Sequence, residues 1–316
     1  MAESVYSERR IIMGFDLYFA GSRTPGADDW LAANKCCRLF SQLNDKKAIA
    51  AWNEYEVRGK LFVDSGAHSA HTQGIEIPVD DYIQYVNDLD EYISIFAQLD
   101  KIPGMYRKPK TIEDWVTAPE LSWKNYLYMR ERVKSPDKLI PVFHQGENFK
   151  WLNTMLETTF EGGKHIPYIG LSPRGDVSVK AKRAFIDKCF NIILKSSNPR
   201  VKVHAFGMTS LDVLEMFPFY SADSTTWLLI AAMGQILTPW GLIYVSSRGT
   251  ADPLHIKNQP VLARDKILSY IKDKGFTLDQ IQEDYAARML VNAMYLKNWA
   301  DNYVYKGTKP AKKSLF

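Results

Sequence analysis

Seven polar side chains stand at or near the ends of apolar runs in this chain. Asp64 follows the apolar core of KLFVDSGA (60–67), and Asp100 closes ISIFAQLD (93–100). His144 and Gln145 end LIPVFHQG (139–146), Ser172 ends YIGLSP (168–173), His204 lies inside VKVHAFGM (201–208), and Asp223 ends YSADST (220–225). Any one of them has a plain explanation, since an Asp or Ser after a strand commonly caps a helix or shapes a turn. Gathered on one rim they are costly to desolvate and poorly explained by packing. Carboxylates of this kind suit general acid–base or nucleophilic chemistry. With the imidazoles of His68, His71, His144 and His204 they also suit Zn²⁺ or Mn²⁺, which makes a metallohydrolase the alternative. Against it, the first run, DLYFAG, lacks the H-x-H that many barrel amidohydrolases use.

Bringing such residues together requires strands that share a direction. Two further runs, IIMGFDLYFAG (11–21) and GLIYVSS (241–247), bring the total to eight. Their nearly continuous apolar character fits parallel strands buried on both faces. Helical spacing lies between them, as in Val79-Tyr82-Ile83-Val86-Leu89 and Trp227-Ile230-Ala231-Gly234-Leu237. The order predicts an α/β chain closed as a (β/α)8 TIM barrel, with reactive groups at the C-terminal ends of the strands. An open doubly wound sheet is the other arrangement this order allows. The barrel is expected over residues 1–260, with C-terminal helices and a basic tail (261–316; Lys309, Lys312, Lys313) packed on it as part of a single domain.

The 316 residues, 46% of them apolar, are enough for one large core. A net charge of +4 permits a polyanionic partner without requiring one. Cys36, Cys37 and Cys189 offer no CxxC pair to start a zinc site, and cysteine usage fits a reducing cytoplasm. No run approaches the ~18 apolar residues of a membrane span, so no membrane association is expected.

The local strings resemble a known family. DSGAHSA (64–70) resembles the DSGGFQ-type motif of the tRNA-guanine transglycosylase, or queuine tRNA-ribosyltransferase, superfamily. QLD (98–100), PVFHQGE (141–147), YIGLSPRGD (168–176), VHAFGMTS (203–210) and SADSTTW (221–227) follow in that family's order. The resemblance covers about residues 60–230. It departs in two places: no C-x-C-x-x-C zinc motif follows Asp223, and His68 stands where an aromatic residue is usual. The chain therefore looks most like the DNA-modifying, DpdA-like 7-deazaguanine transglycosylases of viruses and genomic islands, without a zinc subdomain.

The resemblance implies a glycosyltransferase that exchanges guanine in DNA for a 7-deazaguanine of the 7-cyano (preQ0) kind, with tRNA as the alternative substrate. Asp223 would be the nucleophile and Asp64 the proton shuttle. Asp100 would accept from the purine N1–H and 2-amino group, Gln145 would donate to O6, and the backbone at Gly170 and Leu171 would meet the 7-substituent. Ser65 and Tyr106 complete the expected base site, with Tyr106 as a stacking platform. Arg107, Lys108, Arg174 and Arg248 are candidates for holding phosphates on the same rim. No metal or cofactor is called for, and a helper protein for opening the duplex is a possible partner.

Overall fold

The computed structural model describes residues 14–21, 26–208 and 210–307, so the tail lysines Lys309, Lys312 and Lys313 lie outside it. Nine parallel strands form one barrel-like sheet: β1 (Asp16–Ala20), β2 (Cys37–Ser41), β3 (Leu61–Asp64), β4 (Ile95–Ala97), β5 (Leu139–Ile140), β6 (Val142–His144), β7 (Tyr168–Ser172), β8 (Lys202–Ala205) and β9 (Ser221–Ser224). Their order is β5-β4-β3-β2-β1-β9-β8-β7-β6. The two end strands are consecutive in the chain and separated by Pro141 alone. Ile140 O accepts from Gln98 N on one side, and Pro141 O from Gly170 N on the other, so the sheet runs nearly all the way round.

Alternation along each strand sorts side chains between two cores. Phe19, Phe40, Val63, Phe96, Phe143, Leu171, Val203 and Ala222 face the surrounding helices. Tyr18, Phe62, Ile95, Ile140, Val142 and Tyr168 pack on each other inside the sheet. Both faces are covered, which is why most of these strands read as continuous apolar runs.

Two expectations about the strands are corrected. The run 241–247 is not a barrel strand: Gly241–Tyr244 pairs antiparallel with Gln235–Thr238 around Pro239 and Trp240. The strand missing from the expected set is β2, hidden because Arg38 interrupts its pattern. That side chain is fully buried among the helices, bonded to Phe19 O at 2.7 Å and Gly21 O at 3.0 Å and 3.2 Å from Asp28.

The chain beyond the sheet is helical over Val261–Asp273, Leu278–Glu283 and Tyr285–Asp301. Tyr285–Asp301 joins the outer layer through Met289, Ala293, Leu296 and Ala300. The hairpin forms a second small core with the two helices that follow it, Val261–Asp273 and Leu278–Glu283, through Ile236, Ile243, Ile267, Ile271 and Ile281.

Gly170 sits at a close approach inside the sheet. A Cβ there would lie 2.4 Å from the Phe206 ring and 3.4 Å from Val142, and the Phe206 ring is itself packed 4.5 Å from His204 and 5.6 Å from Phe62, centroid to centroid. Because the half-buried ring would have to shift against these neighbours, Gly170→Ala is expected to cost about 1–3 kcal/mol of stability through overpacking. Urea unfolding measures it, and an unchanged midpoint would contradict packing this close.

Candidate active site

Asp64 and Asp223 end neighbouring sectors of the sheet, and each is held by the loop that follows a strand. Asp64 Oδ2 accepts from Gly66 N at 2.9 Å. Gly66 has φ +81°, and a Cβ there would meet Ser41 Oγ at 2.6 Å and Leu43 Cβ at 2.7 Å, so the turn that presents Asp64 needs glycine. Burial pushes the Asp64 carboxyl up to about 6, partly offset by the Gly66 N–H; the nearby charges of Asp100 and Asp223 add to the rise and His144 opposes it. The carboxyls of Asp100, after β4, and Asp223, on β9, thus lie close enough to Asp64, on β3, to raise it.

Asp223 is buried, with both visible donors on one oxygen. Oδ1 faces Gly207 N at 2.9 Å and His204 Nε2 at 3.2 Å. Behind it, His204 Nδ1 contacts Ser221 Oγ, which also contacts the Tyr168 hydroxyl.

On the opposite side, His144 bridges two acids. Its Nε2 lies 3.3 Å from Asp100 and its Nδ1 3.1 Å from Glu147. Burial works against the imidazolium, but Asp100 and Glu147 outweigh it and hold His144 well above the ordinary histidine range. Asp100 also accepts from Gln98 Nε2 at 2.5 Å. Gln98 Oε1 is buried without a hydrogen-bond partner.

Two clefts open beside these groups and share Lys101 and Ile102. One, of about 300 Å³, is lined by His68, Trp115, His144, Gln145, Ser172 and Arg174 among others; the second, of about 370 Å³, includes His71, Asp100 and Asn125. Both volumes sit at the low end for small-ligand sites.

The remaining expected residues divide by position. Gln145 lines the first cleft, yet its amide is engaged with backbone, accepting from Arg174 N at 3.1 Å and donating to Ala181 O at 3.3 Å. Alternation along β6 turns its neighbour His144 inward instead. Gly170 and Leu171 lie inside β7 with backbone groups bound to adjacent strands: Gly170 N donates to Pro141 O and Leu171 O accepts from Phe206 N. The residues lining the first cleft from this strand and its loop begin at Ser172 and Pro173. Ser65 is buried and turned to the backbone N–H of Ala67. Tyr106 is exposed, edge-on to His71 at 6.3 Å.

Among the expected phosphate holders, Arg174 is paired with Asp176 at 2.6 Å, and the Arg107 guanidinium lies 5.1 Å from the Tyr106 ring. Lys108 lines a neighbouring surface groove with Met105 and Pro109. Arg248 is exposed in the turn after the hairpin, its N–H directed at Ser246 Oγ.

Sequence reasoning missed the residues that hold these groups: Glu147 on His144, Gly207 on Asp223, and Ser221 and Tyr168 behind His204. For Ser221 a signal existed, because it lies two residues before Asp223 and so points the same way from a strand.

Among the described residues, no three His, Cys, Asp or Glu side chains are placed to hold a metal ion, and no helix is long and apolar enough to cross a membrane. No protein-family model matches the chain, and no curated protein matches it.

Proposed function

We propose that this chain is a base-exchange enzyme that replaces guanine in DNA with a 7-deazaguanine through a covalent Asp223–sugar intermediate. The carrying observation is the unequal environment of two acids at one mouth: Asp223 has one oxygen doubly hydrogen-bonded, while Asp64 is pushed up to about 6. Pairs of carboxyls with different environments take different roles in glycosidic chemistry. Counting β5 and β6 as one strand interrupted at Pro141 gives eight, the (β/α)8 count whose C-terminal rim carries the chemistry.

In this reading Asp223 Oδ2 bonds to C1′ as the C1′–N9 bond breaks. The bond electrons pass to N9, and guanine takes the proton of Asp64. The incoming deazapurine then gives its proton to the Asp64 carboxylate, its nitrogen bonds to C1′, and Asp223 leaves. The strand stays intact because its sugar is never released.

Asp100 accepts from the N1–H and 2-amino group of the purine. Gln145, whose amide nitrogen keeps a second N–H beyond the one given to Ala181 O, donates to O6. DNA is favoured over tRNA by the sequence after Asp223, which has no zinc motif and instead builds the hairpin and the second core. A base in a duplex must first be turned out at a cost of a few kcal/mol, so exchange should be best where pairing is weak.

The test is incorporation of labelled guanine and of 7-cyano-7-deazaguanine into single-stranded DNA, duplex DNA and tRNA. Incorporation into DNA that survives chelators, with DNA binding that falls steeply with salt, is the expected result. Exchange into tRNA alone would move the substrate and keep the chemistry, and no exchange into any of the three would refute the reading.

A further inference from the structure

Inside the sheet, a line of polar groups runs from Asp223 into an otherwise apolar interior. His204 is fully buried, with the rings of Phe206, Phe62 and Tyr18 edge-on to it at 4.5, 4.8 and 5.9 Å. An imidazole in such a place must satisfy both nitrogens, and it does so with Asp223 on one side and Ser221 on the other. Ser221 and Tyr168 are buried as well.

The inventory of donors and acceptors orients the line. Asp223 Oδ1 already accepts from Gly207 N–H, so the contact from His204 Nε2 is a donation and that nitrogen carries a proton. Nδ1 can then accept from the Ser221 hydroxyl, and Ser221 Oγ from the Tyr168 phenol, which burial holds well above its ordinary pKa so that it keeps its proton. Gly207 N–H reaches the same oxygen from the β8 loop. The two donors converge on Oδ1, while among the described residues Oδ2 has no hydrogen-bond partner.

We propose that His204 is a positioning residue for Asp223: with Gly207 N–H it fixes Oδ1 and leaves Oδ2 as the atom that attacks, while Ser221 and Tyr168 lock the imidazole in the tautomer that donates. The role of Oδ2 rests on the transglycosylase reading. No proton moves along the line in any step; its contribution is orientation. The register makes it possible, since His204 pairs with Ser221 across β8 and β9 and Asp223 stands two residues further along the same face.

Three folded variants test it in the exchange assay on a DNA oligonucleotide. His204→Phe, which fills the space without a donor, should lower kcat about 100-fold, the scale of a misplaced reacting group, with KM for DNA unchanged. His204→Gln, which can still donate to Oδ1, should restore most of that loss, and Tyr168→Phe should give a smaller fall in kcat alone. Wild-type kcat in a folded His204→Phe protein, or His204→Gln as impaired as His204→Phe, would overturn the proposal.

A second measurement is independent of activity. In ¹⁵N spectra of the wild-type protein, His204 should carry a proton on Nε2, and its signals should move in Asp223→Asn. An Nε2 without a proton would overturn the arrangement. If the wild-type protein exchanged no base while His204 carried the Nε2 proton, the transglycosylase reading would fall and the His204–Asp223 geometry would stand.

Discussion

Asp223→Asn is expected to abolish base exchange, lowering kcat by about 10⁴-fold or more, the scale seen when a covalent nucleophile is removed, while leaving the fold intact. The substitution is nearly isosteric, and the amide oxygen can still accept from Gly207 N and His204 Nε2. What it loses is the second carboxylate oxygen, the atom that the proposed mechanism joins to C1′. The wild-type protein should trap a covalent adduct with DNA when the incoming base is withheld, visible as a denaturant-stable band, and Asp223→Asn should not. Thermal unfolding separates the explanations: an inactive variant with wild-type Tm has lost chemistry, whereas a large fall in Tm would mean that Asp223 is a buried structural acceptor. A variant that exchanges bases at the wild-type rate would remove Asp223 from the nucleophile's place.

How far the sequence reveals this site depends on whether the deciding contact is local or crosses between strands. Asp64 and Asp223 were legible because each sits at the end of a run, where a parallel sheet delivers its polar groups. His204 was visible as a polar residue within a strand, but its pairing with Asp223 depends on the β8–β9 register, which no local string encodes. His144 and Gln145 show the finer limit. They are adjacent and line the same cleft, but His144 meets Asp100 and Glu147 while Gln145 is taken up by the backbone of Arg174 and Ala181, contacts that no local string encodes.

The same reasoning explains the misread strands. Arg38 disguises β2 because its charge is compensated from elsewhere in the chain, by Asp28 and by backbone carbonyls after β1. The segment GLIYVSS has the composition of a barrel strand yet forms a hairpin, because the turn Thr238-Pro239-Trp240-Gly241 is held by the Thr238 hydroxyl rather than by an Asn-Gly or Asp-Gly pair. Thr238 Oγ1 accepts from Trp240 N at 3.2 Å and donates to Gly241 O at 2.7 Å.

For Asp64 the expected effects on activity and stability have opposite signs. Its carboxyl is pushed up to about 6 by burial, with the charges of Asp100 and Asp223 adding to the rise. A carboxyl with that value is still partly protonated near neutrality and can give a proton to departing guanine. Asp64→Asn cannot, and the loss of a general acid–base group should lower kcat about 10²–10⁴-fold. In the wild type, kcat/KM for DNA reports the free enzyme, so it should fall as pH rises through about 6 and the acid loses its proton.

Stability follows the same shift. Between its ordinary value of 3.8 and about 6, the folded protein binds a proton at Asp64 that the unfolded chain does not. Stability therefore declines as pH rises across that window, and the penalty is fully present above it. Asn carries no charge to bury, so Asp64→Asn should be more stable than the wild type at pH 7.5. The partly exposed carboxyl makes the gain on the order of 1–2 kcal/mol, with each kcal/mol worth about 1.5 °C in Tm for a chain of 316 residues. The difference should shrink as pH falls from about 6 and be gone near about pH 3, below the ordinary value of 3.8, where the carboxyl is protonated in both states. Paired melting curves from about pH 3 to about pH 8 measure it directly. A variant that is both slower and less stable at pH 7.5 would show that Asp64 is held as a favourable carboxylate, and would remove the acid from the proposed mechanism.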